Sequence, residues 1–348
     1  MAYTTIDDPS AYFQTTLYSG TGSTASVTNG GNSDLQPDWV WIKARNATRD
    51  HRLMDSTRGV QKELVSNGTA AEYTEATGFT AFQSDGFQHG GANGYGASGE
   101  NYVAWQWKAN GGTTTAGGGD DTIATSTHQA NTTAGFSIVT YTGEEANKTV
   151  KHGLSTALDM LLVKNRDTAK DWRMWFKGFS GTERLQLNDT SAKATTNTSW
   201  NGTVPSSSVF SLGDDTNTNT DGDKFVAYCF HSVQGYSKFG SYTGNGNTDG
   251  PFVYTGFKPA WVMVKETSGT GQWRMRDNKR STVNPVGVVL YANGTNAEAT
   301  EDNVDFLSNG FKVRTSGGEN NGNGDTYVYM AFAEHPFVSS QGVPVTAK

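Results

Sequence analysis

Tryptophans, and a run of acidic and amide side chains, are the first residues in this chain that could do chemistry. Trp39 and Trp41, like Trp105 and Trp107, stand two apart, so on a strand each pair shares one face. An exposed row of indoles would stack sugars, which makes Trp41, Trp105 and Trp107 candidate glycan-binding residues. Burial competes with that reading, because large aromatics dominate small β cores. The core is the favoured place for most of them. Trp41 is the best exception, since its counterparts further along the chain are Leu162 and Met263.

Asp215, Asn217, Asn219, Asp221 and Asp223 form an oxygen-rich alternation. Counted from Asn217, acceptors fall at positions one, three and five and Gly222 at six, as in a calcium loop. Tyr228 stands where the bidentate Glu at position twelve belongs. A solvated hairpin tip is favoured and calcium is the alternative; no other cofactor is expected. The six histidines are scattered, no pair is spaced for a metal, and neither a nucleophile elbow nor a phosphate loop is present. Two carboxylates could meet in the fold as a glycosidase pair, but sequence cannot choose them. The expectation is a protein without catalytic activity.

These residues sit in a pattern written three times. Pro37-Asp38-Trp39-Val40-Trp41-Ile42-Lys43 returns as Leu158-Asp159-Met160-Leu161-Leu162-Val163-Lys164 and as Pro259-Ala260-Trp261-Val262-Met263-Val264-Lys265. Each copy reads as a buried strand. Eight residues after each Lys comes His51, Trp172 or Trp273, followed by Arg52, Arg173 or Arg274. That Arg is suited to an internal acid or a neighbouring ring, and less so to a carboxylate ligand. Upstream stand Tyr18-Ser19-Gly20, Tyr141-Thr142-Gly143 and Tyr242-Thr243-Gly244; downstream stand strands opening at Tyr102, Phe225 and Tyr327. Such a period indicates three tandem units of one fold.

Composition agrees with an all-β chain: 42 Gly, 8 Pro and 11% aromatics suit short strands, many turns and aromatic cores. The expected fold is three tandem β-sandwich domains of jelly-roll or lectin-like type. Their boundaries fall at 1–112, 122–235 and 236–338, with a Gly/Thr-rich linker at 113–121 and a tail at 339–348. The short second junction suggests stiffer coupling between domains two and three than between one and two. Asn67-Gly68 predicts a tight hairpin turn, and Thr69 to Ala76 is the best helix candidate. A net charge of −7 without a basic cluster argues against nucleic acid as partner. No apolar stretch is long enough to insert in a membrane. The opening residues lack the charged start and apolar run of an export signal. Cys229, the single cysteine, is expected to be buried.

Tyr-Thr-Gly, the Pro-x-Trp-Val-x-x-Lys strand, Trp-Arg-Met, Gly-Phe and the Tyr-Val-Ala-Trp strand together resemble repeats of bacteriophage virion proteins. Gly135 to Gly143 and Lys151-His152-Gly153-Leu154 match that style, as does the opening Met1 to Pro9. The resemblance spans nearly the whole chain, except that the second copy lacks the Pro and the first strand Trp (Leu158, Met160). It implies a structural protein on the particle exterior, in a tail fibre or decorating the head, assembled in a host cytoplasm. Other virion proteins and further copies of the chain are the implied partners. A glycan-binding host-adhesion protein is the alternative, with a host-surface glycan as ligand.

Overall fold

A strand such as Trp39-Val40-Trp41-Ile42, with no polar alternation, has to be covered on both faces. The computed structural model, which describes residues 2–301 and 303–344, shows two different covers. In each repeat the anchor strand (Trp39–Ala44, Met160–Asn165, Phe257–Glu266) lies between a closing strand (Asn101–Trp107, Lys224–Phe230, Thr326–Pro336) and a short partner (Arg52–Asp55, Arg173–Phe176, Arg274–Asp277). The closing strand pairs on its other side with an opening strand (Phe13–Ser19, Phe136–Thr142, Ser237–Thr243). All these pairings are antiparallel.

One face of this main sheet packs on a small second sheet, which makes each repeat a β-sandwich. In the first repeat the small sheet is Ala25–Val27, Gly86–His89 and Phe79–Gln83, and Val40, Ile42 and Ala104 meet Phe79 and Phe87 there. The other face carries Trp39, Trp41, Trp105 and Trp107. It joins Met160, Leu162, Tyr228, Phe230, Trp261, Met263, Met330 and Phe332 in one core common to all three repeats. Trp39 stacks on Tyr228 with centroids 4.4 Å apart, and Phe13 on Phe332 at 4.9 Å. The three sandwiches are therefore fused along a shared aromatic centre, and the coupling is no weaker between repeats one and two than between two and three.

Equivalent contacts close the repeats into a ring. The indole of Trp172 donates to the Val65 carbonyl and that of Trp273 to the Gln186 carbonyl, both at 2.8 Å. At the same position in the first repeat, His51 Nε2 donates to the Tyr291 carbonyl at 2.9 Å. Backbone bonds repeat the cycle: Lys170 N to Thr69 O, Gly271 N to Thr190 O, and Arg49 N to Thr295 O, at 2.9–3.0 Å. Repeat two thus grips repeat one, three grips two, and one grips three.

Four further expectations change. Asn67-Gly68 is not a tight hairpin: Lys62–Glu63 pairs with Tyr73–Thr74 across a longer loop, and that loop is the arm the next repeat holds. The amide of Asn67 accepts the His51 N–H, as those of Asn188 and Asn293 accept the Trp172 and Trp273 N–H groups. Residues 69–76 hold no helix; the short α-helices are Thr216–Asn219 and Gly318–Asn321. The Gly/Thr-rich stretch 113–121 is not a free spacer, because Thr115–Ala116 pairs with Ser126–Asn131 at the edge of the second repeat. Of the tail, Pro344 bridges back to Val338 and Ser340 binds Asp7, while 345–348 lie outside the described residues.

Candidate functional site

The recurring aromatics do not reach a ligand. Trp41, Trp105 and Trp107 are at most 1% exposed, so a sugar-stacking platform on them is ruled out by their place in the central core. Their polar edges serve the interior: Trp41 Nε1 donates to His51 Nδ1 at 2.8 Å and Trp105 Nε1 to Asp277 Oδ2 at 3.1 Å. His51 therefore holds its proton on Nε2, facing Tyr291. Burial, aided by the charge of Lys43, keeps that ring well below the ordinary histidine range and neutral.

The calcium reading of 215–223 also fails, on the use of its oxygens. Asp215 caps the helix Thr216–Asn219, accepting from Asn217 N at 2.9 Å, and its other oxygen takes Ser199 and Arg173. Asn219 is buried, with its amide spread over Ala146 O, Gly213 O and Glu144 N. Asp223 accepts from Asn165 and Thr168 at 2.8 Å. Loop oxygens that converged in sequence are drawn apart by internal donors. No group of three His, Cys, Asp or Glu side chains is placed to hold a metal among the described residues.

The other repeated polar residues hold structure together as well. Arg52 meets Glu63, Arg173 meets Asp171 and Asp215, and Arg274 meets Glu301. The tyrosine of each Tyr-x-Gly donates to a carbonyl of a turn or short helix: Tyr18 to Tyr95, Tyr141 to Thr218 and Tyr242 to Asn320, at 2.6–2.8 Å. The glycine that follows lies against the same turn. A Cβ on Gly20, Gly143 or Gly244 would stand 2.1–2.2 Å from a backbone oxygen. The strand-closing Lys43, Lys164 and Lys265 are buried and bond main-chain carbonyls, and burial brings each down to about 8. Cys229 is buried too.

Two charged clusters, written in the first and third copies as Asp-x-x-Arg twelve and fifteen residues after the anchor Lys, lie fully inside. Asp55 pairs with Arg58 at 2.5 Å, and Tyr228 of the second repeat donates to the same carboxylate at 2.7 Å. Burial opposes the charge on Arg58, and the carboxylates of Asp55 and Glu72 more than offset it. Asp277 and Arg280 repeat the arrangement at 2.6 Å, with Trp105 of the first repeat as donor and its ring under the guanidinium. The third position is apolar, Phe176 and Met330. With side chains sealed from solvent, these clusters act as joints between repeats rather than as catalytic groups.

A groove of about 530 Å³ opens along the free edge of the opening strand Phe13–Ser19. One wall is the loop around Gly30 and Gly31; the other is repeat three, through Ala260, Asn278, Lys279 and Ala333 to His335. Nothing in the sequence pattern marks it, since its two walls, around Gly31 and from Ala260 onward, lie far apart in the chain.

The model of one protein family, described as a domain of unknown function (DUF7483), matches residues 8–336. No curated protein matches the chain.

Proposed function

The chain belongs to the DUF7483 family, whose description assigns no function, and we propose that it is a non-enzymatic structural protein of a bacteriophage particle, displayed on the exterior as part of a tail fibre or as a head decoration. The observation that carries this reading is where the recurring polar residues are used. Histidine, tryptophan, arginine and asparagine at repeated positions all serve joints within or between repeats. That is the investment of a rigid building block. It adds to the resemblance of the repeats to phage virion proteins. Other virion proteins, and further copies of the chain, are its expected partners.

Imaging intact particles by electron microscopy with a label on this protein tests the proposal. Label spaced over the head or placed at the tail is the expected result; particles without label overturn it. A second reading, host adhesion through a surface glycan, has its own observation. Phe252 and Tyr254 share one face of an outer strand and are 45% and 51% exposed. Glycan binding abolished by Phe252→Ala would favour it.

A further inference from the structure

The groove along Phe13–Ser19 has an occupied counterpart in the second repeat. There the opening strand Phe136–Thr142 carries an added strand, Ser126–Asn131, paired antiparallel from Asn131 opposite Phe136 to Ser126 opposite Tyr141. Phe13–Leu17, which line the groove, are the equivalents of Phe136–Thr140. Both walls correspond as well. Gly153 lies where Gly30 does, and a Cβ on Gly153 would come within 2.1 Å of His128 in the added strand. A Cβ on Gly30 would meet nothing within 4 Å. In the third repeat the same glycine, Gly256, is met by Tyr3, whose hydroxyl donates to its carbonyl at 2.8 Å.

The far wall tells the same story. In the second repeat, Gln129 of the added strand reaches Ser56 at 2.8 Å and accepts from Gly112 N at 3.0 Å, and Asn131 donates to Ala109 O at 3.2 Å. Ser56 and Ala109 correspond to Asn278 and Glu334 in the groove. Asn278 Oδ1 and Thr15 Oγ1 are shielded from solvent without a hydrogen-bond partner, and Thr15 is only 7% exposed. Thr15 is the equivalent of Ile138, the residue that Gln129 faces. Buried polar atoms left in this state are costly, and a side-chain amide carries both the donor and the acceptor they call for.

We propose that this groove seats an extended segment of a partner protein, which adds to the Phe13–Ser19 edge as an antiparallel strand and places a Gln or Asn opposite Thr15. Addition to a free sheet edge supplies affinity through main-chain bonds, while alternate side chains supply specificity. A second copy of this chain is a poorer occupant, because its own strand of that sequence, Ser126–Asn131, is already paired on both sides. The inference stands whether or not the protein is part of a virion.

The probe is a fluorescent peptide of residues 124–133, titrated with the full chain and read by anisotropy. Binding should weaken at least about tenfold in Gly30→Trp and in a peptide whose Gln129 is replaced by Ala. Gly30→Ala, with open space around its methyl, checks that the fold tolerates substitution there, and unchanged melting of both variants confirms it. No binding to the wild type, or binding indifferent to Gly30→Trp, overturns the proposal. Concentration-dependent dimers of the wild type that Gly30→Trp abolishes would overturn it in favour of a second copy.

Discussion

Tyr228→Phe removes one hydroxyl from the joint between repeats one and two. That oxygen donates to Asp55 Oδ2 at 2.7 Å and lies 3.3 Å from Arg58, all inside the core. A hydrogen bond to a charged group contributes about 1.5–3 kcal/mol, and the aromatic ring is kept, so no cavity opens. Asp55 retains the Arg58 guanidinium and the Arg58 backbone N–H, which limits the penalty of an unsatisfied carboxylate. The expected loss is about 2 kcal/mol. At an unfolding entropy of about 2.1 cal/mol/K per residue, that lowers the melting temperature by about 3 °C for a chain of this length. Urea and thermal melts, followed by tryptophan fluorescence and far-ultraviolet circular dichroism, read the change. Because the core is common to all repeats, both probes should shift together in one transition. A loss below about 0.5 kcal/mol, or a second transition that leaves repeat three unshifted, would refute the account of the joint.

Gly143→Ala forces a methyl to within 2.1 Å of the Thr220 carbonyl and should cost about 3 kcal/mol, with Gly20→Ala and Gly244→Ala similar; chemical denaturation checks all three. His51 is neutral in the fold, its pKa held below the unfolded value, so its stabilising contribution is present above about pH 6.5 and fades as pH falls. The stability gap between wild type and His51→Phe should narrow by about 1.4 kcal/mol per pH unit below that point, measured by urea melts from pH 7.5 to 5. The His51 ring resonances should not titrate over the same range while the protein stays folded.

Much of this was legible. The triple recurrence of the anchor strand marked the repeats, and the unbroken apolar run Trp39 to Ile42 marked burial. The Arg after each His or Trp is suited to an internal acid, and in all three repeats it has one. Shared packing of the three repeats was not legible, because its bonds join residues as distant as His51 and Tyr291 and leave no local period. The acidic run at 215–223 misled because spacing records where oxygens fall along the chain but not which donors will claim them; Ser199, Arg173 and Asn165 do. The groove was hidden for another reason. It is a missing strand, and it shows only when one repeat is superposed on another.

Closure of the ring also sets an order of events during synthesis. A ribosome releases repeat one first, with Trp39, Trp41, Trp105 and Trp107 on a sheet face whose partners do not yet exist. The second repeat covers part of that face through Tyr228 and Phe230, but Trp261 and Phe332 arrive only with the last third of the chain. Until then the nascent chain carries bare indoles in crowded surroundings, where sticking to a neighbour is the competing outcome. Interruption of translation before the final strand yields a fragment that cannot hide its own centre, so each molecule is finished whole or handed to quality control.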